Sequence, residues 1–306
     1  MKAVVFEDFG GPEVLHEAEV DVPEPGPRQV RVRVRAAGVN AIDYKIRSGM
    51  MQPNLPAKLP AIPGVEAAGV VEAVGAEVTE VKPGDEAFGW TRGGGYCEQA
   101  LLTTFAVKPK ELSFTDAVAL PVAGETAERV LRMLEVQAGD TLLIHGAAGS
   151  VGTFAVQLAV ARGARVIGTA GMGNHAYLTE LGAEPTVYGT GLVERVRALA
   201  PGGVDAVFDV AGRGALADSI ELRGGSKERI VTIADYPGSE EFGIPFSGGG
   251  RGSVQSPELL TDLAERTVNG ELKVTIAATY PLADASEAQR ESEAGHGRGK
   301  LVLVVN

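Results

Sequence analysis

The chain has a single cysteine, Cys97, among its 306 residues. That excludes an internal disulfide and any zinc cage built from several thiolates. Histidine is nearly as scarce: His16, His145, His175 and His296, none within two to four residues of another. A catalytic zinc takes about three nitrogen or sulfur ligands, so no metal is expected. Runs of about 18 apolar residues are missing, so no membrane-spanning helix is expected. Positive charge is in deficit, with 28 Lys and Arg against 40 Asp and Glu and a net charge of -12. A nucleic acid or an anionic membrane needs a basic surface, and both are excluded as partners. The opening Met1-Lys-Ala-Val-Val-Phe6 reads as a strand and not as a signal peptide, which points to a cytoplasmic location.

The composition is otherwise that of a globular protein with a full core, 44% hydrophobic and 22% charged. Its length fits about two domains. The most informative stretch is Asp140 to Ala161. An apolar strand, Thr141-Leu-Leu-Ile-His145, runs into Gly146-Ala-Ala-Gly-Ser-Val-Gly152 and then into a helical run. Strand, glycine turn and helix in that order are the context a dinucleotide fingerprint requires. The strict pattern wants glycine at 147, 149 and 152, and Ala147 replaces the first. Gly149 allows close approach of a pyrophosphate, Gly152 allows the helix to pack on the strand, and the helix N-terminus offers free N–H groups. Gly146, Ala147, Ala148, Gly149, Ser150, Val151 and Gly152 are therefore candidate cofactor-binding residues.

Residues 1–118 are strand-rich. Val30-Arg-Val-Arg-Val-Arg35 alternates strictly and predicts a half-buried strand whose arginines face solvent. Residues 65–78 predict a strand bent at Gly69 and Gly75, 89–95 a loop, and 96–107 another strand. From 117 onward strands and helices alternate. Strands are expected at 141–145, 164–169, 186–188, 204–210 and 229–234, and helices near 125–135, 150–162, 174–182, 191–199, 213–222 and 256–269. This rhythm predicts an α/β fold with a doubly wound parallel sheet, its ligand at the carboxyl ends of the strands near the switch point. Ser247 to Ser253 is a glycine-rich stretch, either a loop over a cleft or a connector. Phe242-Gly-Ile-Pro-Phe246 is a candidate interface strand, with Pro245 suited to an edge.

Several motifs carry a family resemblance: Gly38-Val-Asn-Ala-Ile-Asp-Tyr-Lys-Ile-Arg47, the stretch from Pro63 to Gly75, Gly94-Gly-Tyr-Cys-Glu98, Ala123-Gly-Glu-Thr-Ala127, the 146–152 turn and Arg298-Gly-Lys-Leu-Val-Leu303. The chain resembles the zinc-free, zeta-crystallin-like quinone oxidoreductase branch of the medium-chain dehydrogenases and reductases. The resemblance implies a GroES-like β-barrel domain from 1–118 and 257–306, a Rossmann domain from 119–256, a cofactor in the cleft and a homodimer. Zinc-dependent relatives place a Cys where Asn40 stands and a His-Glu pair where Val65-Glu66 stands.

The resemblance also implies site residues. Asn40 faces nicotinamide and substrate, and Thr126 contacts the nicotinamide side. Asp43 and Tyr44 are further catalytic candidates. In a helix Asn40 and Asp43 would share a face; consecutive Asp43, Tyr44 and Lys45 do not all face one cleft, so Tyr44 and Lys45 either line it or serve packing and solvent. Tyr96 is either a donor to the substrate or a core aromatic. Ile233 and Ala234 are expected near the nicotinamide carboxamide, and Phe246 and Ser247 at the substrate entrance. Glu125, Glu128 and Arg129 depart from the apolar or aromatic residues usual on that helix, so they face solvent or mark an altered pocket. His145 is expected to shape the glycine turn.

An NAD site usually has an acid on the ribose about 20 residues past the fingerprint. The second strand ends instead in Thr169-Ala-Gly171. The missing acid permits NADPH. Gly171 and Gly173 stand where the family has a Ser and a basic residue, so the expected discrimination over NADH is modest, with Asn174, His175 and backbone N–H groups as substitutes. Without a Lewis acid the acceptor must accept a hydride unaided, as a quinone does, or a C=C conjugated to a carbonyl. A cofactor-binding sensor without turnover is the alternative from another class.

Overall fold

The computed structural model describes residues 1–53, 55–248, 255–295 and 297–306. His296 and residues 249–253 of the glycine-rich stretch lie outside the described residues. In chain order the elements are β1 (Lys2–Val5), β2 (His16–Glu19), β3 (Val30–Val39), α1 (Ala41–Arg47), β4 (Glu66–Val74), β5 (Glu86–Arg92), β6 (Gln99–Val107), α2 (Phe114–Val118) and α3 (Pro121–Met133). Then come β7 (Thr141–His145), α4 (Ser150–Ala161), β8 (Arg165–Thr169), α5 (His175–Glu180), β9 (Ala183–Thr186), α6 (Leu192–Leu199), β10 (Ala206–Asp209), α7 (Leu216–Leu222), β11 (Ile230–Thr232) and α8 (Tyr236–Phe242). The last are α9 (Pro257–Val268), β12 (Ile276–Pro281), α10 (Ala285–Ala294) and β13 (Lys300–Val304). Contacts divide them into two units, Met1–Val122 with Gln255–Asn306, and Ala123–Val254.

The first unit is built on a six-stranded sheet in the order β12-β13-β3-β4-β5-β6, and β3 also pairs with β6, which closes the β3–β6 strands on themselves. In β3, Val30, Val32 and Val34 are buried while Arg33 and Arg35 are exposed. Arg31 and Arg33 lie 3.1 Å from Glu24 and 3.6 Å from Glu72, a charged sheet face as the alternation predicts. The register slips between Val34 and Ala36, opposite Gly69, where a bend was expected. The strand expected at 65–78 ends at Val74. Gly89, expected in a loop, lies within β5 and pairs with Phe105; ladder pairing there overrides the weak strand preference of glycine.

The second unit carries a five-stranded, all-parallel sheet in the order β11-β10-β7-β8-β9. Chain order reverses between β7 and β10, which makes their carboxyl ends the switch point. Its core gathers Leu143, Ile167, Val196, Val207, Leu216 and Ile230. Two readings need correction. β9 lies at 183–186 and not at 186–188. It is the edge strand, so Pro185 is tolerated, and the Tyr188 side chain is exposed. Residues 242–246 form no strand: α8 ends at Phe242, Ile244 is buried, and Phe246 makes one parallel bridge to Thr232. Asp235 caps α8 by accepting from the Gly238 N–H, a start signal that the apolar pattern hid.

Candidate functional site

The glycine turn in the second unit joins β7 to α4. Gly146 takes φ +75°, a left-handed conformation that favours glycine. Its N–H donates to Thr169 Oγ1 at 3.2 Å, and the Ala147 N–H donates to the Thr169 carbonyl at 3.1 Å. Thr169 thus shapes the turn. A Cβ on Gly152 would stand 2.3 Å from the Gly146 carbonyl oxygen, so α4 meets the turn with no room for a side chain. Gly149 is the N-cap of the twelve-residue α4. The N–H groups of Ser150, Val151 and Gly152 fall in its first turn, where no intrahelical acceptor exists, and the buried Ser150 Oγ has no partner among the described residues. Free donors at a helix N-terminus fit a pyrophosphate.

Around that turn, Ala170 is buried and its N–H donates to the Thr186 carbonyl at 3.0 Å. Gly171 precedes a short 3-10 turn ending at Asn174, whose N–H donates back to it at 2.9 Å. A Cβ at Gly171 or Gly173 would meet nothing within 4 Å among the described residues. His175 Nε2 lies 3.3 Å from the Ala170 carbonyl.

At the switch point, Asp209 is fully buried at the end of β10. Its Oδ1 accepts from the N–H groups of Ala211 and Gly212 at 3.0 and 3.1 Å, and its Oδ2 from the Thr232 hydroxyl at 2.7 Å. Thr232 Oγ1 in turn accepts from the N–H groups of Ala234 and Asp235, and the Ile233 N–H donates to the Asp209 carbonyl. The turn bearing Ile233 and Ala234 is therefore pinned to β10. The sequence reading placed Asp209 inside a strand and missed this role; an acid at the carboxyl end of a parallel strand was the available signal.

His145 is buried, with Nε2 3.0 Å from Ser219 Oγ. Because that hydroxyl donates to the Ala215 carbonyl, Nε2 carries the hydrogen. Burial lowers the His145 pKa, opposed by the carboxylates of Asp209 and Asp218.

On α3, Glu125 and Arg129 are buried and paired at 2.9 Å. They do not face solvent. Arg129 also donates to the carbonyl and hydroxyl of Ser247 and, at 3.4 Å, to Thr126 Oγ1. The two candidates Thr126 and Ser247 are thus brought together by a residue the sequence reading left unresolved. Phe246 stacks edge-on to Tyr236 at 5.3 Å.

In the first unit, Asn40 caps α1. Its N–H donates to Asp43 Oδ2 at 2.9 Å, and Tyr96 Oη donates to the same oxygen at 3.0 Å. Asp43 and Tyr96 are both buried, and Tyr96 belongs to the core. Burial raises the Asp43 pKa to about 7, opposed by those hydrogen bonds and by Lys300. Tyr44 is half-buried. The Asn40 carboxamide lies between Glu66 and Lys300: Nδ2 donates to Glu66 Oε1 at 2.7 Å, and Oδ1 accepts from Lys300 Nζ at 2.7 Å. Lys300 and Glu66 are themselves paired at 2.8 Å with 1% and 0% side-chain exposure. Glu66 Oε2 accepts from the Val122 N–H at 2.8 Å.

The chain matches the Alcohol dehydrogenase GroES-like domain over residues 26–130 and the Zinc-binding dehydrogenase family over 181–303. It is 35% identical to a quinone oxidoreductase of Pseudomonas aeruginosa, covering 99% of both chains. The chain belongs to the zeta-crystallin-like, quinone oxidoreductase branch of the medium-chain dehydrogenases and reductases. It is also 32% identical to the 2-methylene-furan-3-one reductase of Solanum lycopersicum, over 99% of this chain and 79% of that one. The solved quinone oxidoreductase of Escherichia coli complexed with NADPH superposes with a TM-score of 0.88 at 29% identity, covering 99% of this chain and 100% of that one.

A zinc ion does not fit the residues at 40, 65 and 66. The Glu66 carboxylate already holds an ammonium, an amide and a backbone N–H, and a divalent cation beside Lys300 would meet like charge. Among the described residues no three His, Cys, Asp or Glu side chains converge, and no helix is long and apolar enough to cross a membrane.

Proposed function

We propose that this chain is an NADPH-dependent, metal-independent reductase that passes a hydride to a quinone. The observation that carries the reading is the 146–152 turn opening α4 at the switch point, with three first-turn N–H groups that lack an intrahelical acceptor and a Ser150 hydroxyl without a partner among the described residues. NADPH, when bound, would supply the hydride. The acceptor takes the hydride, its oxygen gains the electron pair, and solvent supplies the proton that completes the hydroquinone. Residues 146–152, Thr169, Ala170, Gly171 and Asn174 hold the cofactor, with Thr126, Ile233 and Ala234 toward its nicotinamide. Asn40 donates to the acceptor oxygen. Asp43 holds Asn40 by its backbone, and Tyr96 holds Asp43. We assign Tyr44 of the first unit, and Phe246 and Ser247 of the second, to contact with the acceptor. We assign residues 1–118 and 257–306 to the catalytic domain and 119–256 to the cofactor domain.

A second reading, reduction of a C=C conjugated to a carbonyl, is favoured by the 32% identity to the tomato reductase. Oxidation of NADPH and NADH by metal-free protein with 1,4-benzoquinone, 9,10-phenanthrenequinone and a simple enone tests both. Faster turnover of quinones supports the first reading, and faster turnover of the enone the second. Cofactor binding without oxidation by any acceptor rejects both and leaves a sensor. We further propose a homodimer formed along the β11 edge, in support of which β11 is a terminal strand of its sheet, covered within the chain by the bridge from Phe246 to Thr232. A monomeric mass by light scattering at micromolar concentration rejects it.

A further inference from the structure

We propose that Lys300 is the fixed cation of the Asn40 site, and that it locks the Asn40 carboxamide with one Nδ2 hydrogen presented to the carbonyl oxygen of the acceptor. The inference deepens the proposed function and rests on it for the identity of the acceptor.

Lys300 opens β13, which lies inside the six-stranded sheet between β12 and β3. Lysine is among the residues least often buried, and burial without partners is costly. Here each ammonium hydrogen has an acceptor: the Val39 carbonyl at 2.7 Å, Asn40 Oδ1 at 2.7 Å and Glu66 Oε1 at 2.8 Å. The donor inventory of the side chain is filled. Room is made for Glu66 as well, since a Cβ on Gly38 would stand 2.1 Å from Glu66 Oε1.

An ammonium only donates, so the Asn40 atom facing it is the oxygen. That places Nδ2 toward Glu66, which accepts one of its two hydrogens. The other has no partner among the described residues, and Asn40 is only half-buried. The cation at the oxygen draws electron density from the nitrogen and strengthens the remaining N–H as a donor, while Glu66, by accepting the other hydrogen, fixes the direction in which it points. Hydride arrival builds negative charge on the acceptor oxygen, and a donor already aimed there stabilises that charge without reorganisation. The ammonium thus supplies positive charge where zinc-dependent relatives place a metal. Lys300 acts through Asn40 and is a positioning residue; Asn40 is the catalytic one.

The test is a double-mutant cycle in the full chain with Lys300→Met, Asn40→Ala and the pair. It reads kcat with 1,4-benzoquinone, NADPH Kd by fluorescence, and urea unfolding midpoints. We expect Lys300→Met to lower kcat at least tenfold with NADPH Kd unchanged within twofold, and to lower kcat less than twofold further once Asn40 is Ala. Equal losses in both backgrounds, or no loss in folded Lys300→Met, overturn the proposal. Should Lys300→Met leave Glu66 unpaired and the chain unfolded, the same cycle on a Glu66→Gln background removes both charges and carries the same expectation. Wild-type protein that oxidises NADPH with neither quinone nor enone overturns the function instead. The lock is then judged from the unfolding midpoints, where additive shifts for Lys300 and Asn40 overturn it and non-additive shifts support it.

Discussion

The hydroxyl of Tyr96 donates to Oδ2 of Asp43 across 3.0 Å, with both side chains buried. Burial is the largest influence on Asp43 and raises its pKa from 3.8 to about 7. A carboxyl that holds its proton more tightly when folded stabilises the fold fully below the unfolded pKa, and that contribution is lost as pH rises through the folded pKa. Asp43 should therefore make the wild-type urea midpoint fall between about pH 4 and pH 7. Asp43→Asn should flatten this dependence and exceed the wild type at pH 8. A variant midpoint that falls as steeply as the wild type would reject the assignment.

Arg129 and Glu125 form a buried pair on one helix face. Arg129→Leu removes the cation and leaves the Glu125 carboxylate buried without it, at an expected cost of about 3–5 kcal/mol. The double variant Glu125→Leu/Arg129→Leu should recover most of that loss, because the buried carboxylate is removed together with its cation. Urea unfolding of the three proteins decides the matter. A double variant no more stable than Arg129→Leu would show that the contacts to Ser247 matter more than the charge.

Two alanine substitutions in the glycine turn should separate folding from binding. A Cβ at Gly152 stands 2.3 Å from a backbone oxygen, whereas at Gly149 its nearest neighbour is 3.4 Å away. Gly152→Ala should lower Tm by several degrees and raise the KM for NADPH at least tenfold. Gly149→Ala should leave Tm within about a degree and weaken NADPH alone. Equal Tm losses would show that both glycines serve packing.

A Cβ at Gly171 or Gly173 would meet nothing within 4 Å among the described residues, so a side chain can start there without a clash at its first atom. Gly173→Lys should raise the ratio of kcat/KM for NADPH over NADH about tenfold, equivalent to about 1.4 kcal/mol. An unchanged ratio would show that the 2′-phosphate is held elsewhere.

The alternation of strands and helices after residue 117 was legible because local periodicity carries it, and strand β7 fell on its expected residues 141–145. What escaped was non-local or non-periodic. β9 was displaced onto Val187 and Tyr188, whose apolar character outweighed Pro185 in a local reading. α8 was hidden behind Pro237 and Gly238. Glu66 and Lys300 each stood in a quoted motif, yet nothing in either motif announces that they meet around Asn40, which lies 260 residues before Lys300. Pairing of that kind is a property of sheet register, which no window of sequence contains.

That register has a consequence for biosynthesis. Val39 waits 261 residues for the ammonium that its carbonyl accepts, whereas the second unit is one continuous stretch, Ala123–Val254. On the ribosome the second unit can close while the first still exposes the flank of β3 that β13 later covers. The first sheet would then be completed only once Lys300 has emerged, and a nascent chain halted before it would carry a finished cofactor domain and an open sheet edge, the kind of surface that invites chaperone capture or aggregation.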